Sequence, residues 1–222
     1  MAKAGIEWHK NALPKTTQTA LDFFSKAVWL KTSSWYLAGG TALTLQVGHR
    51  QSVDLDFFCP NKHVRLQQLL SRLEETHWRT DRVEEDTIHG RLFGARVSFI
   101  ANPSFFPRAK PHWYGCVRVL DKKDIAVMKV IAISQRGYKR DFMDLFWYVR
   151  DSEPLLKVLN RLTDQYPSVA HDLHHILKSL VYFKDADEDP DPIFLENVSW
   201  RATKTFFQRE VPKLTQQLLG LK

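Results

Sequence analysis

The stretch Trp35-Tyr36-Leu37-Ala38-Gly39-Gly40-Thr41-Ala42-Leu43, followed by Ser52-Val53-Asp54-Leu55-Asp56-Phe57-Phe58, constrains this chain more than any other. It reads as strand, tight glycine turn, short helix and strand. Two adjacent glycines end the apolar run at Ala38. Without a Cβ, glycine takes positive φ at little cost and lets an anion approach the backbone. The N–H groups of such a turn, and of the helix start behind it, form a concave donor set suited to phosphate. Thr41 adds a hydroxyl. On the second strand, side-chain alternation puts Val53, Leu55 and Phe57 on one side and Asp54, Asp56 and Phe58 on the other. The two carboxylates then project the same way, about 7 Å apart. Their repulsion is relieved if they share a hard divalent cation, so both are candidate metal ligands.

Downstream, Asp124-Ile125-Ala126-Val127-Met128-Lys129-Val130-Ile131-Ala132-Ile133 has helical character and is apolar nearly all round. Such a helix is buried, so Lys129 must find an anion: a structural carboxylate such as Asp54 or Asp144, a triphosphate, or each in turn. Asp141 and Asp144 lie three apart on a helix and share a face. Their bland reading is capping and local ion pairing near a helix start; the functional one places Asp141 at a reaction centre. Arg136 falls seven residues after Lys129, on the same helix face, and Arg50, Arg136, Lys139 and Arg140 form a candidate basic rim. Two other clusters read as structural. His171 and His175 are four apart, but their helix is amphipathic in the ordinary way and lacks the glutamate of the zinc-protease pattern. The alternating acids Asp185 to Asp191, with Glu196 at the twelfth position, have Pro190 where a calcium loop needs glycine. They read as an exposed acidic linker.

In chain order, helix is expected from about Thr16 to Leu30 and from Pro60 to Glu75, with strands over 78–84, 87–93, 95–100 and 117–120. Pro103 to Pro111 reads as a loop. From Lys122 the period turns helical, with helices expected over 122–135, 139–151, 154–165, 168–183 and 199–219. The expected architecture is α/β (α+β): a mixed sheet flanked by helices over residues 1–120, then a helical C-terminal half over 121–222. The formal charge of +7 favours an anionic partner. No apolar run reaches the ~18 residues a bilayer span needs, and residues 1–10 lack the apolar segment of a signal peptide. Cys59 and Cys116 are the two cysteines, too few for a disulfide framework or a zinc site. A reducing cytoplasm is expected.

Taken together, Gly39-Gly40 and Asp54-x-Asp56 resemble the signature of the nucleotidyltransferase superfamily. The closer resemblance is to the AbiEii/AbiGii toxin family. Its members pair Leu-Ala-Gly-Gly-Thr with Asp-Leu-Asp-Phe, and carry a later Met-Lys and then Arg-x-x-x-Lys-x-Asp-Phe-x-Asp-Leu. This chain has Met128-Lys129 and Arg136-Gly137-Tyr138-Lys139-Arg140-Asp141-Phe142-Met143-Asp144-Leu145 in those places. The resemblance implies a type IV toxin that transfers a nucleotidyl group from a nucleoside triphosphate, with Mg2+, to an RNA hydroxyl such as a tRNA 3′ end. A cognate antitoxin protein would be its partner.

Under that resemblance, Gly39, Gly40 and Thr41, with Arg50, Arg136 and Lys139, hold the nucleotide. Asp54 and Asp56 hold the metal, Lys129 neutralises the triphosphate, and Asp141 activates the acceptor. The chain departs from the superfamily at one point. A third acid usually comes from a later strand, and Ala95-Arg96-Val97-Ser98-Phe99-Ile100 has none. Asp141 or a substrate phosphate would have to complete the metal shell. The alternative readings are a catalytically degenerate module that binds nucleotide or RNA, and a transferase acting on a small molecule.

Overall fold

The structure is a computed structural model and describes residues 6–61, 65–168, 172–195 and 198–220. The chain forms two compact units that divide between Asp121 and Lys122. The first holds α1 (Lys15–Lys26), α2 (Val28–Thr32), β1 (Tyr36–Ala38), α3 (Gly39–Val47), β2 (Leu55–Cys59), α4 (Leu66–Glu74), β3 (Trp78–Glu84), β4 (Thr87–Leu92), β5 (Ala95–Ala101), β6 (His112–Tyr114) and β7 (Val117–Val119). Its strands make one mixed sheet in the order β3-β4-β5-β2-β1-β7-β6. β1 runs antiparallel to β2 and parallel to β7, and β2 runs parallel to β5.

Alternation sets the two faces of the sheet. Leu37, Leu55, Phe57, Ile88, Val97 and Phe99 are fully buried on one face, against α1 and α2. Phe99 is the hub of that core. Its ring meets those of Phe24, Trp29, Trp35, Phe57 and Trp78 at centroid distances of 4.9 to 6.4 Å, stacked on Phe57 and edge-on or tilted to the rest. Gly90 is required beneath Trp78: a Cβ there would lie 2.3 Å from the indole and 2.5 Å from the Arg79 carbonyl oxygen. The opposite face of β3, β4, β5 and β2 is polar, with Arg79, Arg82, His89, Arg91, Arg96, Ser98 and Asp56 in register and Asp54 just before β2.

Several local expectations are corrected. The helix expected over Thr16–Leu30 breaks at Ala27, where ψ is 92°. Its N-cap is Pro14, and the buried Thr17 hydroxyl donates to the Val53 carbonyl oxygen at 2.7 Å. Val53 is 44% exposed and precedes β2, so the strand is interior only from Leu55. β6 was not anticipated; it forms a short hairpin with β7.

The second unit is helical, with α5 (Lys122–Arg136), α6 (Lys139–Asp151), α7 (Leu155–Asn160), α8 (Leu162–Gln165), α9 (Leu173–Ser179), α10 (Lys184–Glu188) and α11 (Trp200–Leu219). Phe142, Phe183, Trp200 and Phe207 form its aromatic centre. The helix expected over 154–165 is split at Arg161. The acidic stretch is not a plain exposed linker. It forms α10, whose Asp187 accepts from the Trp200 indole and the Lys204 ammonium, and Asp189 and Asp191 bind Lys139. His171 and Glu196 lie outside the described residues.

Phe99→Ala removes the ring on which five others converge. It should destabilise the protein by about 3–5 kcal/mol in urea unfolding, and Phe99→Leu should recover more than half of that loss.

Candidate active site

β1 is three residues long and wholly buried, and it ends at the glycine turn. Gly39 has φ +69°, in the left-handed region, and begins α3 with Ala38 as N-cap. Pairing of Ala38 with Asp56 across the β1–β2 ladder brings the second carboxylate to this turn. A Cβ built on Gly39 would lie 3.4 Å from Asp56 Oδ2. A Cβ on Gly40 would lie 2.2 Å from Arg50 Nη2. The turn therefore sits between an acid on one side and a guanidinium on the other. Arg50 is buried, and its Nη1 donates to the Gln51 carbonyl oxygen at 2.8 Å. Arg50 packs behind the turn rather than forming a solvated rim.

Thr41 also departs from expectation. Its side chain is buried, and its oxygen lies 2.8 Å from Ser52 Oγ and hydrogen-bonds the Asp54 carbonyl oxygen. Its hydroxyl is used to fasten the segment entering β2, which fixes where Asp54 and Asp56 stand. Asp54 lies one residue before β2, and its Oδ1 accepts from Arg96 Nε at 2.7 Å. Both partners are partly exposed, with side-chain exposures of 60% for Arg96 and 33% for Asp54. Such a pair contributes about 0–1 kcal/mol and is readily exchanged for another cation. Beside Asp56 in the parallel ladder stands Ser98, and beside Ser98 on β4 stands His89. His89 Nδ1 and Ser98 Oγ are 3.0 Å apart. His89 and Ser98 were not singled out from sequence, although the alternation of 87–92 and 95–101 already places them on the carboxylate side.

The second unit brings Lys129, Arg136, Asp141 and Asp144 together. Lys129 is 5% exposed, and its ammonium lies 2.6 Å from both Asp141 Oδ1 and Asp144 Oδ2. Arg136 Nε donates to Asp141 Oδ2 at 3.0 Å. Burial pushes the Asp141 carboxyl up, but Lys129 and Arg136 together outweigh burial and hold it below the usual carboxylate range. Lys139 does not join them. Its buried ammonium binds the Asp189 carbonyl oxygen and Asp191 Oδ1, and its backbone N–H donates to Asp189 Oδ2, so it holds the acidic segment. Arg136 and Arg140 both lie over the Tyr138 ring, at 5.1 and 5.0 Å.

Because Asp141 has a lowered folded-state pKa, its stabilising contribution is full above the unfolded carboxyl value near 3.9. It is lost as pH falls through the still lower folded value. Asp141→Asn should cost about 3–5 kcal/mol at pH 7, since it leaves the buried Lys129 ammonium short of a counter-charge. It should also flatten the acid limb of stability measured by urea unfolding between pH 2 and 6.

A curated relative, the uncharacterized protein aq_aa25 of Aquifex aeolicus (strain VF5), is 36% identical over 188 residues, 81% of this chain and 87% of the relative. Among solved structures, the nucleotidyltransferase toxin MenT4 (Rv2826c) of Mycobacterium tuberculosis H37Rv superposes with a TM-score of 0.58 at 15% identity, covering 89% of this chain and 84% of that one. A putative nucleotidyltransferase from H. pylori superposes with a TM-score of 0.53 at 16% identity, covering 94% and 99%. At such identities the two structures attest the fold, a mixed sheet with helices of the nucleotidyltransferase kind. The family profile described as the nucleotidyl transferase AbiEii toxin of type IV toxin–antitoxin systems matches residues 30–219, and the chain belongs to that family.

Proposed function

We propose that this protein transfers a nucleotidyl group from a nucleoside triphosphate to an RNA hydroxyl, with a tRNA 3′ end as the acceptor to test first, and that it uses Mg2+. The observation that supports this best is the close approach of Asp56 Oδ2 to Gly39: a donor-lined turn for phosphate and a carboxylate for a cation occupy one place. The donor set suits magnesium. Asp54 and Asp56 offer hard oxygens, and among the described residues no group of three or more His, Cys, Asp and Glu side chains gathers as a closed metal site. Magnesium is commonly held by one or two carboxylates and completes its shell with water and substrate phosphate. When bound there, it would neutralise phosphate charge and favour the ionised form of the attacking oxygen.

The chain's own residues divide the remaining work. The N–H groups of Gly39 and Gly40 at the start of α3 would receive phosphate oxygens, where the helix dipole favours negative charge. Thr41 acts one step back, through the loop it fastens. Lys129 would serve as the cation for polyphosphate, held in place by its ion pairs with Asp141 and Asp144. Arg136 lies partly exposed at that cluster and could add a second cation. Support for RNA comes from the net charge of +7 and from Arg79, Arg82, Arg91 and Arg96 on the polar sheet face, where a phosphate backbone would find cations. A cognate antitoxin follows from the family, and the cytoplasm, where NTP and tRNA are available, is the compartment this reading requires.

One observation favours a second reading, a nucleotide- or RNA-binding protein without turnover. The strand beside β2 presents Arg96 and Ser98 where the superfamily usually has its third acid, and Arg96 already holds Asp54. The test is incubation of the protein with each labelled NTP, Mg2+ and total tRNA. Label should pass to RNA in a metal-dependent way. Asp54→Ala and Asp56→Ala should each reduce transfer by a factor of at least 10³, with the fold retained by circular dichroism. Tight NTP binding with no labelled RNA would favour the second reading, and transfer surviving Asp56→Ala would refute the role given to that residue.

A further inference from the structure

We infer that a cleft between α2 and α4 is a second phosphate-binding site, remote from the glycine turn, and that it takes a phosphate carried on a nucleotide, whether free or within RNA. The site is separate from the proposed transfer chemistry and does not depend on it. The cleft has a volume of about 310 Å3 and lies wholly in the first unit. Trp35, just before β1, and Cys59, at the end of β2, both line it. The two strands are antiparallel, so this is the end of their ladder away from Gly39 and Asp56. Cys59 stands three residues beyond Asp56, about 10 Å along the strand. By alternation it points with Leu55 and Phe57, to the face opposite the carboxylates.

One wall comes from α4. Arg65, its N-cap, and Gln68 and Arg72 follow at i, i+3 and i+7, so they share one face, with Leu69 buried beneath them. All three polar side chains are exposed, and among the described residues none of them has a hydrogen bond or an ion pair. Arg72 is nonetheless held: its guanidinium lies 5.7 Å from the centroid of the Trp29 ring. A cation is attracted to an aromatic face without spending its N–H groups. Trp29 is itself fixed against the core, its ring tilted 6.4 Å from that of Phe99. The other wall is also polar. Ser34 Oγ accepts from Asn61 Nδ2 at 3.2 Å, which leaves the serine O–H to donate. Arg118 adds charge there, donating to the Ser33 carbonyl oxygen at 3.1 Å. No aspartate or glutamate is among the described residues that line the cleft.

Two guanidiniums without counter-charges, one of them ordered, favour an anion, and the donor set selects its kind. A carboxylate is planar, and one guanidinium fork can satisfy it. Here two forks come from one wall and a hydroxyl from the other, which suits the several oxygens of a tetrahedral phosphate. The volume falls at the lower end of the range for small-molecule sites, ~300–1,000 Å3, so a sugar fits along with its phosphate. Trp29 and Leu69 give that sugar an apolar floor.

The experiment uses two probes on the full chain: fluorescence anisotropy with a fluorescein-labelled uridine dodecamer, and calorimetry with AMP in EDTA, which withholds metal from Asp54 and Asp56. Arg65→Ala/Arg72→Ala should weaken one or both by at least about tenfold. For the dodecamer, the salt slope should also fall by about 0.7 for each phosphate no longer neutralised. Arg65→Ala alone removes an exposed side chain without partners. It should leave urea unfolding unchanged and still weaken binding by about threefold or more. Lys157→Ala/Lys178→Ala removes the same charge from exposed positions of the helical unit and should leave both probes within about twofold. Loss confined to the dodecamer assigns the site to RNA phosphate, and loss of AMP binding assigns it to a free nucleotide. Unchanged binding of both probes by the double arginine variant overturns the inference. So does equal weakening by the lysine variant, which would make the effect one of net charge. A wild type that binds neither probe also overturns it, including one that binds a polyglutamate peptide there instead. If wild type keeps arginine-dependent binding but passes no label from NTP to tRNA, the transfer reading falls and this site stands.

Discussion

The antiparallel pairing of β1 with β2 across the glycine turn is the constraint from which the site follows. β1 has only three residues, yet it lies inside the sheet with β2 on one side and β7 on the other. Its backbone must leave the sheet at once, because the next residue begins α3. The left-handed φ of Gly39 makes that exit without steric cost. The return path is fixed as tightly. Thr41 binds the Asp54 carbonyl oxygen and Ser52, so β2 re-enters with Asp56 opposite Ala38. A slip of one residue would drive Asp56 into the aromatic core and expose Phe57. Burial of Phe57 against Phe24 and Phe99 thereby holds a carboxylate at the turn. The core face and the polar face of one strand are two consequences of one register.

In the helical unit, electrostatics plays the part that register plays in the sheet. A lysine on the inner side of α5 loses its hydration and is retained only because two carboxylates of α6 compensate. Replacing the whole cluster with apolar residues could leave the unit as stable or more so. The cluster is therefore better explained by what a fixed, dry ammonium can do than by stability. Two acids against Lys129 and Arg136 make a group close to charge balance, so an arriving anion would meet cations already ordered, at little cost in side-chain entropy.

Much of the architecture was legible because two periods are strong in this sequence. Alternation over 87–92 and 95–101 marked β4 and β5, and the apolar run from Ile125 marked α5 as buried. What was missed is what local pattern does not encode. The break at Ala27 lies inside an unbroken apolar period and is set by how α1 and α2 follow the sheet. The hairpin strand β6 is too short to show a period. Polar side chains were the least legible. A threonine beside two glycines looks like a phosphate ligand, but its hydroxyl is consumed by the chain itself. Lys139 sits within a charged motif, but its ammonium is taken by Asp191, 52 residues on. Which acid captures which base depends on tertiary proximity, and one sequence lists the candidates without the distances.

The departure at β5 has the widest consequence. A third carboxylate beside Asp54 and Asp56 would raise the repulsion that any cation must relieve. Arg96 does the reverse: it neutralises Asp54 through a pair that is partly exposed and weak by the standards of such pairs. The strand can then fold and persist with its acids adjacent and no cation bound, because the charge is already shared. Arg96 shares its face of β5 with Ser98, two residues on, so a guanidinium and a hydroxyl stand beside the two acids where a third carboxylate is lacking. Loss of one acid thus need not mean loss of chemistry. Charge neutralisation, which a third carboxylate could not supply without a cation, is supplied here by an arginine on the neighbouring strand.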